Sequence, residues 1–105
     1  MKKVHLALAV ADFDASVREY TARLGVSPCC TVEGSYALWR TDLLNLSIRV
    51  DPASAGKVRH LGFEDSDADS FSVATDANGF VWERFAAEHQ RAEISQLWPN
   101  AKFQP

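Results

Sequence analysis

The sequence is short of several things, and each shortage excludes a class of protein. It holds two cysteines in 105 residues, adjacent at Cys29-Cys30. A disulfide between neighbours is strained, so no cystine framework staples this chain. No apolar run approaches the roughly 20 residues of a membrane helix. No basic cluster interrupts a chain with 11 Lys+Arg against 14 Asp+Glu, which removes the electrostatic footprint of a nucleic-acid binder. MKKVHLALAVADFD opens like a secretory leader, but its apolar run breaks at Asp12 and Asp14 and no cleavage site follows. It reads as a strand, and the cytoplasm is the expected compartment. Vicinal thiols can bind soft metals or metalloids, although two small side chains near a strand start is the plainer reading of Cys29 and Cys30.

With 47% hydrophobic and 24% charged residues, the chain can bury a core of its own, so one domain over 1–105 is expected. Val4, Leu6, Leu8 and Val10 give the first strand a bulky face; His5, Ala7 and Ala9 give it a small one that carries an imidazole. Phe13, Val17, Tyr20 and Leu24 then recur at helical spacing, between an Asp12 or Asp14 cap and a Gly25 stop. VSPCCTVEG, SYALWRT and LLNLSIRV read as three strands, completing β-α-β-β-β within residues 1–50. The segment 51–57 is a Pro/Ala/Ser/Gly linker. VRHLGFED follows and echoes the first strand, with His60 and Gly62 opposite Leu61 and Phe63, which suggests an internal repeat. An acidic patch (Glu64, Asp65, Asp67, Asp69) precedes two strand-like runs around Asp76-Ala77-Asn78-Gly79, a hairpin-turn sequence. A weak helical pattern at 86–98 is anchored by Ile94, Leu97 and Trp98.

His5, His60 and Glu83 each fall inside a predicted strand. A glutamate placed among bulky hydrophobes needs a cation or a hydrogen-bond partner. Two imidazoles and one carboxylate form a facial ligand set with open positions, suited to Fe2+, Ni2+, Mn2+ or Zn2+. Spacing alone leaves two plainer alternatives open: core histidines bonded to backbone carbonyls, and a Glu83 paired with Arg84 or Arg59.

The pieces H-L-A-L-A-V-A-D, R-H-L-G-F and T-D-A-N-G-F-V-W-E-R-F, in that order, resemble the vicinal oxygen chelate superfamily over roughly residues 3–85. Glyoxalase I, bleomycin-resistance proteins and extradiol dioxygenases belong to it. The resemblance implies an α+β fold in which βαβββ modules form a glyoxalase-like half-barrel cup. It implies that His5, His60 and Glu83 are metal ligands, with Glu83 also the candidate catalytic base. The fourth ligand position of glyoxalase-type members aligns with Asn45, which cannot supply a negative ligand, so a three-ligand site is expected. The first half is also similar to the cadmium-induced and carbon–arsenic lyase branch, but that branch carries its cysteine pair in the second module, and Cys29-Cys30 lie in the first. The distance from His60 to Glu83 is too short for a full module, so the second (58–85) is expected to lack its helix and one strand. The segment 86–98 or a second chain would then cover the cup, and a homodimer is expected. Asn45, Trp39 and Arg49 are the candidate substrate contacts. The function implied is a metal-dependent lyase, isomerase or dioxygenase acting on a small molecule chelated through neighbouring oxygens. The alternatives are a non-catalytic resistance protein that binds a cationic drug through aromatics such as Tyr36, Trp39 and Trp82, or a degenerate dimerisation module.

Overall fold

The computed structural model describes residues 1–104; Pro105, the last residue of the expected domain, lies outside them. The first half runs β1 (Lys2–Val10), α1 (Phe13–Leu24), β2 (Cys30–Val32), β3 (Tyr36–Arg40) and β4 (Leu44–Val50). The second runs β5 (Val58–Asp65), β6 (Ser72–Thr75), β7 (Val81–Phe85), α2 (Ala87–Leu97) and β8 (Lys102–Phe103). The linker holds one short 3-10 turn, Pro52–Ser54. All eight strands form one mixed sheet in the order β6-β7-β5-β1-β4-β3-β2-β8, an α+β fold.

The sheet has an internal near-twofold centred on Leu6 and Leu61. Antiparallel β1 and β5 pair there, with His5 opposite Gly62 and Ala7 opposite His60. Strand β4 runs parallel to β1, and β7 runs parallel to β5. The β5-β7-β6 half therefore repeats β1-β4-β3. What the second half lacks is the helix and the equivalent of β2, as its length requires.

Helix α1 forms as its caps dictate. The Asp12 side chain accepts the Ala15 N–H at 2.9 Å, and Gly25 closes the helix at φ 73°, a left-handed conformation that glycine adopts without strain. Its stripe of Phe13, Val17, Tyr20 and Leu24 packs on Ala37, Trp39, Leu46 and Ile48. Trp39 is wholly buried there, with its indole N–H donating to Thr21 Oγ1 at 3.2 Å. Truncating such a tryptophan costs about 3–5 kcal/mol.

The opposite face is covered by α2. Ile94 packs against Cys30, Val32, Tyr36 and Leu38, and the Trp98 ring lies 4.9 Å from that of Tyr36. Both faces of β1 are therefore covered: His5, Ala7 and Ala9 are buried on one, and on the other Val10 is buried, Leu6 and Leu8 pack against the α1 core and Val4 is half exposed. Leu97, expected to anchor the helix, is exposed, and Gln90 is buried in its place. The cover stops short of β6, whose four residues are all exposed at the sheet edge. The acidic patch is no solvated cluster throughout: Glu64 and Asp65 are buried and paired with Arg40 and Arg84.

Candidate metal centre

One row of residues crosses the sheet beneath α2: Arg40, Asn45, His5, Gly62 and Glu83, on β3, β4, β1, β5 and β7. Neighbouring strands lie about 4.8 Å apart, so the backbones of His5 and Glu83 are two strand spacings from each other. The residue between them is glycine, which lets the β7 backbone come close to β5. Gly62 has φ 149°, and a Cβ there would collide with the Glu83 carbonyl oxygen and lie 2.7 Å from its amide nitrogen. His60 enters from the adjacent row, opposite Ala7.

His60 Nε2 lies 3.0 Å and His5 Nε2 3.8 Å from Glu83 Oε1. One ligand atom from each residue fits within a 4.8 Å cluster. His5 Nδ1 faces the Asn45 side-chain oxygen at 2.8 Å and the Asn45 carbonyl at 3.2 Å, so this nitrogen carries the proton. Nε2 is then a bare lone pair. It is buried, without a hydrogen-bond partner, and aimed at a carboxylate oxygen. His60 Nε2 can donate to that oxygen, which leaves His5 Nε2 as the unpartnered atom, and the three groups together could hold a metal ion. Burial above all holds the His5 pKa below 6.5, against the pull of the Asn45 hydrogen bond, with His60 adding to the depression. The imidazole is therefore neutral at pH 7, the form that ligates.

The orientation of His5 is fixed from behind. Asn45 donates to Glu64 Oε1 and to Gln90 Oε1, both at 2.8 Å, and accepts from Gln90 Nε2 at 3.2 Å. Arg40 grips Glu64 with a two-pronged contact of 2.8 and 2.7 Å. Burial pushes the Glu64 carboxyl up, but these hydrogen bonds overcome it and hold the group below its usual range. The negative Glu64 fixes the Asn45 amide, which fixes the His5 tautomer, the usual support of a ligating histidine. Asn45 therefore stands behind the site and does not line it. The position related to Glu83 by the internal repeat is Ser47, opposite Ala7 as Glu83 is opposite Gly62. This corrects the alignment that placed the fourth ligand at Asn45.

A cavity of about 150 Å³ opens beside the cluster, lined by all three cluster residues together with Ser47, Arg49 and Arg59. Arg49 is thus placed as a substrate contact would be. Trp39 is not: it belongs to the opposite face, under α1. Tyr36 lines the cavity, whereas Trp82 donates to Asp76 Oδ2 in the hairpin at 2.8 Å, away from it. The sequence offers no signal for Ser47 or Gln90; it marks Arg59 only as a possible partner of Glu83, and Glu64 only as part of the acidic patch. Burial pushes the Cys29 thiol up and the Cys30 thiol to about 11, so both are protonated at neutral pH.

No protein-family model matches the chain, and no curated protein matches it. Among solved structures the fold is similar to the crystal structure of an NAD-dependent benzaldehyde dehydrogenase from Legionella pneumophila. The identity is 13% and the TM-score 0.54, over 79% of this chain and 97% of that one. At that identity the likeness is one of fold. Among the described residues no helix is long and apolar enough to cross a membrane.

Proposed function

We propose that this chain is a metal-dependent enzyme of the vicinal oxygen chelate type, with His5, His60 and Glu83 holding a divalent cation such as Fe2+, Ni2+, Mn2+ or Zn2+. The observation that carries the reading is the buried, unpartnered His5 Nε2 directed at Glu83. When bound, the cation supplies Lewis acidity to a small molecule chelated through neighbouring oxygens. The chain's own residues do the rest. His5 is held in the ligating tautomer by Asn45, Gly62 lets the β7 backbone that carries Glu83 come close to β5, and α2 excludes bulk water from one side of the site. Glu83 Oε2 accepts no hydrogen bond from a described residue, which suits it to take a proton from the ligand. The same reading includes a cytoplasmic homodimer; its support is the bare β6 edge beside exposed Val73 and Phe80.

A non-catalytic drug-binding protein fits less well, because the cavity is small and carries two arginines that repel a cationic ligand. Titrating metal-free protein with Co2+ and following visible absorption tests the proposal. Saturation at about one equivalent, lost in Glu83→Gln and His5→Ala, is expected. Binding unchanged by both substitutions contradicts it.

A further inference from the structure

Two guanidinium groups line the cavity without an ion-pair partner among the described residues. Arg49 on β4 and Arg59 on β5 both line it, and both are half-buried. Among the described residues neither has a carboxylate within 4.0 Å, whereas Arg23, Arg40 and Arg84 each do. The Arg49 guanidinium lies 5.2 Å from the centre of the Trp98 ring, which steadies it over the cavity.

Arg59 reaches the cavity through an irregularity. The β1–β5 ladder pairs Ala7 with His60 and then Leu8 with Val58, so Arg59 is the extra residue of a β-bulge. In a regular strand Arg59 would point away from the face that carries His60. The bulge re-aims it, as bulges beside functional sites commonly do. The outcome is two like charges sharing one cavity, which is unfavourable unless an anion joins them. The two glutamates that line the cavity attract Arg59 from a distance, but neither forms an ion pair with it or with Arg49. Glu83 Oε1 faces the histidines, and Glu93 stands exposed on α2.

We infer that Arg49 and Arg59 form an anion subsite beside the His5–His60–Glu83 cluster, and that it takes the carboxylate of a small acid bearing an oxygen on the neighbouring carbon. A planar carboxylate matches the guanidinium fork, which two arginines can engage from both sides. The cavity is small, about 150 Å³, which suits a compact acid of pyruvate size. In making that acid the substrate the inference rests on the metal-centre reading; the anion subsite itself does not.

The test uses metal-free protein, pyruvate, its neutral analogue pyruvamide, and NMR of the arginine Nε–H signals. Pyruvate is expected to shift the Arg49 and Arg59 signals and to bind at least about tenfold more tightly than pyruvamide. Arg49→Gln and Arg59→Gln should each weaken pyruvate by about 10- to 100-fold, and Arg59→Lys, which keeps the charge without the fork, by less. Equal binding of pyruvate and pyruvamide, or shifts confined to other arginines, overturns the inference. Co2+ affinity is measured separately on the same variants and should stay within about threefold of the parent, since neither arginine is a ligand. Discrimination without Co2+ binding sinks the metal reading and leaves the anion subsite standing. Co2+ binding without discrimination does the reverse.

Discussion

Replacing Asn45 by alanine removes the residue through which Glu64, Gln90 and His5 are held together. Asn45 is wholly buried, and its three partners are buried with it. Its donation to Glu64 is charge-assisted and worth about 1.5–3 kcal/mol; the contacts to His5 and Gln90 add about 1 kcal/mol each. A loss of about 3–5 kcal/mol follows, a large share of the roughly 5–15 kcal/mol that holds a domain folded. In a chain of this size that lowers Tm by about 15–25 °C. Asn45→Asp is the sharper probe because it keeps the shape and the acceptor for His5. It also sets a second carboxylate against Glu64, where the amide donated at 2.8 Å. It should be about as damaging as alanine at pH 7 and recover in part when acid protonates one of the pair. Urea unfolding followed by circular dichroism measures both variants; in Asn45→Ala, where His5 Nδ1 keeps only the 3.2 Å main-chain contact, metal affinity should drop about 10- to 100-fold. An Asn45→Asp protein as stable as the parent at pH 7, or Asn45→Ala costing under about 1 kcal/mol, refutes the hydrogen-bond chain.

Gly62→Ala forces β5 and β7 apart at the Glu83 backbone, so a loss of at least about 3 kcal/mol in urea unfolding is expected, and no loss would disprove the close approach. Two buried groups contribute to the acid side of the stability profile, beside Asp65 and Asp76, whose carboxyls are also held low. Glu64 has its folded pKa below the ordinary 4.5, so the stability it contributes is present above 4.5 and disappears as pH falls through the folded value. His5 has its folded pKa below 6.5, so the unfolded chain binds the extra proton and stability already declines as pH drops below 6.5. Urea midpoints between pH 8 and pH 3 should show both declines, with Arg40→Ala removing the Glu64 contribution; a flat profile contradicts them.

Local chemistry made much of this legible. Helix α1 begins and ends where Asp12 and Gly25 direct, and Asp76 Oδ1 accepts the Asn78 and Phe80 N–H groups in the turn that Asp76-Ala77-Asn78-Gly79 predicts. His5, His60 and Glu83 were recognisable because an imidazole or carboxylate amid strand hydrophobes is unusual. The misreadings arose where both faces of a strand are apolar. Tyr36 and Leu38 face the cavity side while Ala37 and Trp39 face α1, and alternation cannot tell which side holds a site. Arg59 was hidden for a related reason: period two points it outward, and only the pairing shift shows the bulge. Glu64 looked like part of an acidic surface because its partner Arg40 is 24 residues away in sequence.

Elemental analysis of protein purified without an affinity tag, set beside His60→Ala prepared identically, tests the central claim most directly. About one equivalent of a divalent transition metal per chain in the parent, falling below about a tenth in the variant, is the predicted result. A metal-free parent that also fails to take up Fe2+, Ni2+, Mn2+ or Zn2+ on dialysis, or equal metal in both proteins, contradicts it.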